Sequence, residues 1–363
     1  MPTSAPIVSA PAATLVGRRP EVGADRLIAD LVPPPRFDQV RFSSYVPNPA
    51  EPSQSAARDR LQAFAATVGV VPKKSGGLFK KKKAPASGAI GVYLDGGFGV
   101  GKTHLLASLW HESPAPREKK AYGTFVEYTS LVGALGFAAA VERLSDFALV
   151  CIDEFELDDP GDTVLVSTLL TRLSDRGVKL AATSNTLPDK LGEGRFAAAD
   201  FLREIQALSA RFEVLRVDGP DYRHRDLPTP PAPVAEDAVA RTVEEHPGAT
   251  FDTFEGLTGE LAAVHPSRYG ALIDGVSAVG LTGVRALDDQ NVALRLVVLI
   301  DRLYDRKVPV VASGTPLGEL FTPELLRGGY RKKYLRAISR ITALARDGVA
   351  LAAAEEAAVG AGA

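Results

Sequence analysis

Five stretches of the chain, residues 90–94, 124–128, 148–152, 179–183 and 212–217, are dense in apolar and β-branched side chains, with no regular polar alternation. That pattern predicts strands buried on both faces of a parallel sheet. Between them run segments with turn residues and helical spacing, so the expected fold class is α/β, helices on both faces of the sheet. Ahead of the first strand, residues 54–68 place Ala57, Leu61, Phe64 and Ala65 on one face of an amphipathic helix. Residues 37–53 read as a Pro-punctuated extended segment wrapping the core. Residues 1–35 are rich in Ala, Pro and charge, and predict a mobile segment with one short helix at 25–31.

The pattern also repeats. A gapless shift of 130 positions lays Leu157-Asp158-Asp159 on Leu287-Asp288-Asp289 and Arg172-Leu173-Ser174-Asp175-Arg176 on Arg302-Leu303-Tyr304-Asp305-Arg306. The strand 178–183 then falls on 308–313. This predicts a second helix–strand unit of the same shape, which a helical 308–311 would exclude.

Three strand ends carry candidate chemistry. After the first strand comes Gly96-Gly97-Phe98-Gly99-Val100-Gly101-Lys102-Thr103-His104, the G-x-x-x-x-G-K-T pattern in its required setting between strand and helix. Its backbone N–H groups can close around phosphate, Lys102 can reach the β and γ oxygens, and the Thr103 hydroxyl can hold Mg²⁺. The third strand ends in Asp153-Glu154. Asp153 can complete the Mg²⁺ shell opposite Thr103, and Glu154 is placed to deprotonate an attacking water. The fourth ends in Ser184-Asn185, where Asn185 can align that water. The expected cofactors are therefore ATP and Mg²⁺. Under the 130-residue shift Gly283, Val284 and Thr315 replace Asp153, Glu154 and Asn185, which predicts one nucleotide site per chain.

The strings Leu149-Val150-Cys151-Ile152-Asp153-Glu154-Phe155, Arg176-Gly177-Val178-Lys179-Leu180-Ala181-Ala182-Thr183-Ser184-Asn185 and Asp221-Tyr222-Arg223 resemble the ZapE family, AAA-type ATPases of bacterial division with mitochondrial relatives. The later strings Leu299-Ile300-Asp301-Arg302-Leu303-Tyr304-Asp305 and Arg336-Ala337-Ile338-Ser339-Arg340 resemble its C-terminal half. The resemblance implies a P-loop NTPase of the AAA+ or additional-strand type with a C-terminal α/β lid. It also implies ATP hydrolysis coupled to a protein partner, with the division ring as the bacterial candidate and protein quality control as the mitochondrial role. Where the family shows an arginine-rich run before Phe-Leu-Pro, this chain has Ala198-Ala199-Asp200 before Phe201-Leu202-Arg203. Arg195 is then the first candidate for a finger reaching a neighbouring subunit's γ-phosphate in a homo-oligomer, with Arg203 and Arg211 as competitors. Arg336 and Arg340, one helical turn apart, are candidates for a lid contact to nucleotide, Arg340 foremost.

The expected organisation is a mobile segment at 1–35, an ATPase core at 36–227 with a basic insertion at 72–85, a Pro-rich linker at 228–235, a lid and partner region at 236–345, and a flexible Ala-rich tail at 346–363. With 363 residues and a formal charge of −2, the chain can bury one large core or two medium ones, and it offers no large basic face for nucleic acid. The lysines of the 72–85 insertion lack interleaved aromatics, as in a solvated loop. The single cysteine, Cys151, excludes an internal disulfide. No signal-like or bilayer-spanning apolar run occurs, so a cytoplasmic enzyme is expected. Three alternatives stay open on these residues: a small-molecule kinase, which would share the phosphate loop, a nucleotide-gated scaffold with little hydrolysis, and a DNA-associated loader.

Overall fold

The computed structural model describes residues 13–69, 91–97, 99–155, 160–185, 210–220 and 230–361. The described residues fall into two compact units, one made of those within 23–225 and the other of those within 1–22 and 226–363.

The first unit holds β1 (Gly91–Gly96), β2 (Lys120–Thr124), β3 (Leu149–Asp153), β4 (Lys179–Ser184) and β5 (Phe212–Val217). They form one parallel sheet in the order β2-β3-β4-β1-β5. Strand β4 thus separates the phosphate-loop strand from the Asp153 strand, which is the additional-strand arrangement. Helices α1 (Ala24–Ala29), α2 (Pro52–Ala65), α3 (Lys102–Glu112), α4 (Phe125–Leu135), α5 (Phe137–Leu144) and α6 (Pro160–Asp175) complete the unit. Alternate strand residues feed opposite cores: Val150, Ile152, Leu180 and Ala182 enter one cluster, and Leu149, Cys151, Ala181 and Leu94 the other. This is why the strands read as continuous apolar runs. Burial pushes the Cys151 thiol well up, so it acts as a small hydrophobe.

One expected strand is displaced. The 124–128 stretch is not extended; β2 ends at Thr124 and α4 begins at Phe125. Thr124 and Glu127 form a capping box, with the Glu127 N–H on the Thr124 hydroxyl at 3.4 Å and the Thr124 N–H on the Glu127 carboxylate at 2.6 Å. Phe125 and Tyr128 lie on the buried face of this helix, and Val126 is exposed.

The second unit contains α7 (Glu236–Glu245), β6 (Thr250–Thr253), α8 (Phe254–Ala263), α9 (Tyr269–Leu272), β7 (Val279–Val284), α10 (Gln290–Asp305), β8 (Val310–Gly314), α11 (Pro323–Arg327) and α12 (Arg331–Ala361). Its parallel sheet runs β6-β7-β8. The repeat expected from the 130-residue shift is present in the backbone: α6 at 160–175 maps onto α10 at 290–305, and the Lys120–Leu149 pairing of β2 with β3 maps onto the Thr250–Val279 pairing of β6 with β7. Residues 310–311, the sensitive point, are strand.

Residues 13–19 are strapped onto this unit. Ala13 bridges Thr250 on the outer edge of β6, and Leu15 is fully buried among Phe254, Leu257 and Leu261. The Leu15 and Val16 N–H groups donate to the Asp252 carboxylate at 2.9 and 3.1 Å, the Gly17 N–H donates to Glu260 at 2.8 Å, and Arg19 pairs with Glu260. On the opposite edge, the Val234 N–H donates to Ala312 O at 3.0 Å. There Gly348 of α12 lies so close that a Cβ would stand 2.2 Å from Val310 O. Helix α12 continues through the Ala-rich stretch to Ala361. No single helix among the described residues is long and apolar enough to cross a membrane.

Candidate active site

The site gathers at the carboxyl ends of β1, β3 and β4, where open α/β sheets bind ligands. Two glycines have steric reasons to be there. At Gly96 a Cβ would stand 2.1 Å from Val217 O of β5, and Gly101, the N-cap of α3, has φ +90° and would push a Cβ to 2.6 Å from the Tyr45 ring. Phe98 lies outside the described residues.

Lys102 opens α3 and is 8% exposed. Its ammonium donates to Gly96 O at 2.9 Å, Gly97 O at 2.5 Å and Asn185 Oδ1 at 2.9 Å. All three donors of a buried lysine are thereby engaged, and Asn185 is tied to the phosphate loop. Thr103, next along α3, donates to Asp153 Oδ1 at 3.2 Å. The Asp153 carboxylate also accepts from Thr183 at 2.5 Å on Oδ1 and from Tyr122 at 3.1 Å on Oδ2. Burial raises its pKa, the neighbouring Glu154 charge adds to this, and the three hydroxyl donors oppose it. Glu154 turns the chain at φ +55°, with its N–H on Thr183 Oγ1 at 3.0 Å. The hydroxyl of Thr103 and the buried carboxylate of Asp153 form a hard oxygen set suited to Mg²⁺.

Tyr122, Thr183 and the 41–45 segment carry no motif, yet they build the site. The Tyr45 hydroxyl donates to Val100 O at 2.9 Å, bracing the loop. The His104 ring turns to the same segment: its Nε2 lies 3.0 Å from Ser44 Oγ and 3.3 Å from Arg41 O, edge-on to Tyr45. Burial lowers the His104 pKa, with the Arg41 carbonyl acting against it. Asp95, buried before the loop, pairs with Arg216 of β5.

Arg195 and Arg203 lie outside the described residues, as do the 72–85 insertion and residues 221–223. Arg211 donates to Ser174 Oγ at 2.5 Å and Asp175 at 2.7 Å. In the second unit, Arg336 and Arg340 both pair with Asp301, at 2.8 and 2.5 Å, and Arg340 also stacks over Tyr304.

Sheet order, phosphate loop and acid pair define a P-loop ATPase of the AAA+ class. The AFG1-like ATPase family model matches residues 22–246 and 231–352, and the chain belongs to that family. It is 27% identical over 284 residues to the cell division protein ZapE of Escherichia coli K12, covering 67% of this chain and 75% of that protein. It is also 27% identical over 294 residues to lactation elevated protein 1 homolog B of Danio rerio, covering 66% and 58%. Among solved structures, the DnaC helicase loader is similar at a TM-score of 0.34 and 15% identity, covering 50% of this chain and 99% of that one. Domain III of the Thermotoga maritima replication initiation protein DnaA is similar at a TM-score of 0.36 and 15% identity, covering 75% and 85%.

Proposed function

We propose that the chain hydrolyses ATP with Mg²⁺ in the cytoplasm and couples turnover to remodelling of a protein partner, in cell division as the ZapE relative's name indicates. The observation that carries the hydrolytic half is the convergence of three strand ends, where Lys102 meets Asn185 and Thr103 meets Asp153. Lys102 and the loop amides hold the phosphates, and Thr103 and Asp153 hold Mg²⁺, which supplies charge neutralisation on the phosphoryl oxygens. Glu154, at the corner after Asp153, takes the proton of the attacking water. Asn185 orients that water and also touches Lys102, so the water-aligning and phosphate-binding groups sit in one hydrogen-bonded set. Arg195 is the proposed finger, acting on a neighbouring subunit in a homo-oligomer.

Steady-state phosphate release across a range of protein concentrations tests this. Glu154→Gln is expected to bind ATP and lose turnover, and Lys102→Ala to lose binding as well. Turnover by Glu154→Gln equal to wild type removes Glu154 from its role. Activity per subunit that rises with concentration supports a finger in trans, and flat activity removes it. No phosphate release by wild type above Glu154→Gln favours the nucleotide-gated scaffold.

A further inference from the structure

Both acids of the site depend on one hydroxyl. Thr183 is 2% exposed, and its Oγ1 donates to Asp153 Oδ1 at 2.5 Å while accepting the Glu154 N–H at 3.0 Å. Its one proton and one of its lone pairs are thus committed to consecutive residues. Glu154 holds φ +55°, a left-handed conformation that a side chain resists and that persists only where the surroundings fix it. The Thr183 lone pair is placed to fix it.

The same corner recurs in the second unit. Gly283 has φ +66° and donates its N–H to Ser313 Oγ at 3.4 Å, and Ser313 stands 130 positions after Thr183. These contacts move the correspondence by one residue from that of the gapless shift: Gly283 stands where Glu154 does, and Thr282 where Asp153 does. A hydroxyl near the end of the neighbouring strand, β4 in one unit and β8 in the other, therefore holds the turn in both. In the second unit the turn is glycine, and Thr282 stands at the place of Asp153. In the first, the corresponding contact carries a strained Glu and a buried Asp as well.

We propose that Thr183 is the positioning residue of the hydrolytic corner, holding Asp153 with its proton and turning Glu154 with its lone pair. The proposal rests on Glu154 being the base. Without the hydroxyl, Asp153 keeps Tyr122 and Thr103 but can rotate about that remaining pair. The Glu154 N–H loses its acceptor and the corner relaxes toward ordinary backbone, which moves the carboxylate off the water. Misplacement of a reacting group by about 1 Å costs on the order of 10²-fold in rate.

The test compares Thr183→Val, which keeps the shape, with Thr183→Ser, which keeps the hydroxyl. For each, kcat, KM, the Mg²⁺ concentration at half-maximal rate, and the affinity for an ATP analogue with and without Mg²⁺ are measured. Thr183→Val is expected to keep Mg²⁺-free analogue affinity within about twofold, lose about 10²-fold in kcat, and need more Mg²⁺. Thr183→Ser is expected to recover kcat to within a few-fold, and Ser313→Ala to leave kcat unchanged. Tyr122→Phe removes the other Asp153 donor while leaving the Glu154 corner intact. It is expected to raise the Mg²⁺ requirement with a far smaller loss in kcat, and it serves as the test should Thr183→Val fail to fold. A Thr183→Val kcat within twofold of wild type, a Thr183→Ser as slow as the valine, or a Tyr122→Phe loss in kcat approaching 10²-fold overturns the proposal. If Glu154→Gln turns over normally, the base assignment fails instead. The Mg²⁺ dependence of analogue binding by Thr183→Val then still reports whether Asp153 is held.

Discussion

Replacing Asp301 by Asn should destabilise the second unit more than any surface substitution could. Asp301 on α10 is the shared counter-charge of Arg336 and Arg340 on α12, whose side chains are 8% and 18% exposed. Burial alone would raise the Asp301 carboxyl, but the two guanidinium groups outweigh it and hold its pKa below the ordinary carboxylate value. Asparagine keeps the shape and removes the charge, leaving both guanidinium groups without the carboxylate they share. Breaking a buried pair in this way costs about 3–5 kcal/mol, and partial exposure of the cluster favours about 3. For a unit of this size that corresponds to a fall of about 6–12 °C in Tm. Calorimetry of the full chain should show the loss in the transition of the second unit. A depressed folded-state pKa makes the contribution complete above the unfolded value of about 3.9 and lost as pH falls through the folded value. The gap between wild type and Asp301→Asn should therefore be constant from about pH 8 to 5 and close at more acid pH. Replacing all three residues together by Leu and Met of similar volume should return stability to within about 1 kcal/mol of wild type, because no charge is then left buried alone. A loss below about 1 kcal/mol for Asp301→Asn, or a gap that persists in acid, refutes the reasoning.

Other expectations follow from the same contacts. Gly96→Ala places a Cβ 2.1 Å from Val217 O, so β5 must move away from β1. Urea denaturation should show a loss of about 1–3 kcal/mol, with weakened nucleotide binding; unchanged binding speaks against the close approach. Leu15→Ala empties a fully buried site beneath the strap and should cost about 2–5 kcal/mol in the second unit. A smaller loss, with unchanged amide exchange at Phe251, whose N–H donates to Ala13 O, shows that the strap is not tied down there. The Glu154→Gln and Lys102→Ala pair should separate turnover from binding, and Thr183→Val and Thr183→Ser should separate positioning from packing.

The phosphate loop was legible because its chemistry is written in consecutive residues: glycines where the backbone turns or approaches closely, then Lys102 and Thr103 on the first turn of α3. The acid pair was legible because it ends a buried run. Tyr122 and Thr183 were not, since their roles depend on strand order. Tyr122 reaches Asp153 because β2 lies beside β3, and Thr183 because β4 was inserted between β3 and β1. Tyr45 braces Val100 across 55 positions and Asp252 holds Leu15 across 237, separations over which local pattern carries no signal. The misplaced 124–128 strand had a local remedy, since Thr124 followed three residues later by Glu127 is a helix-start signature. The repeat was visible because α6 and α10 must each cover a similar sheet, and the single-residue offset at Gly283 was not, because only hydrogen bonds reveal it.

The strap and the contacts of Val234 and Gly348 with β8 bear on how a partner can take hold. A three-stranded sheet with open borders would invite any extended peptide, or a second copy of itself, to add a strand, which is a route both to recognition and to aggregation. Here the β6 border is occupied by Ala13, and the β8 border by Val234 and the backbone of α12. A protein that grips the second unit in this state must use helix faces or loops. Proteolytic removal of residues 13–19 would uncover Thr250–Thr253, turning a sealed border into an adhesive one.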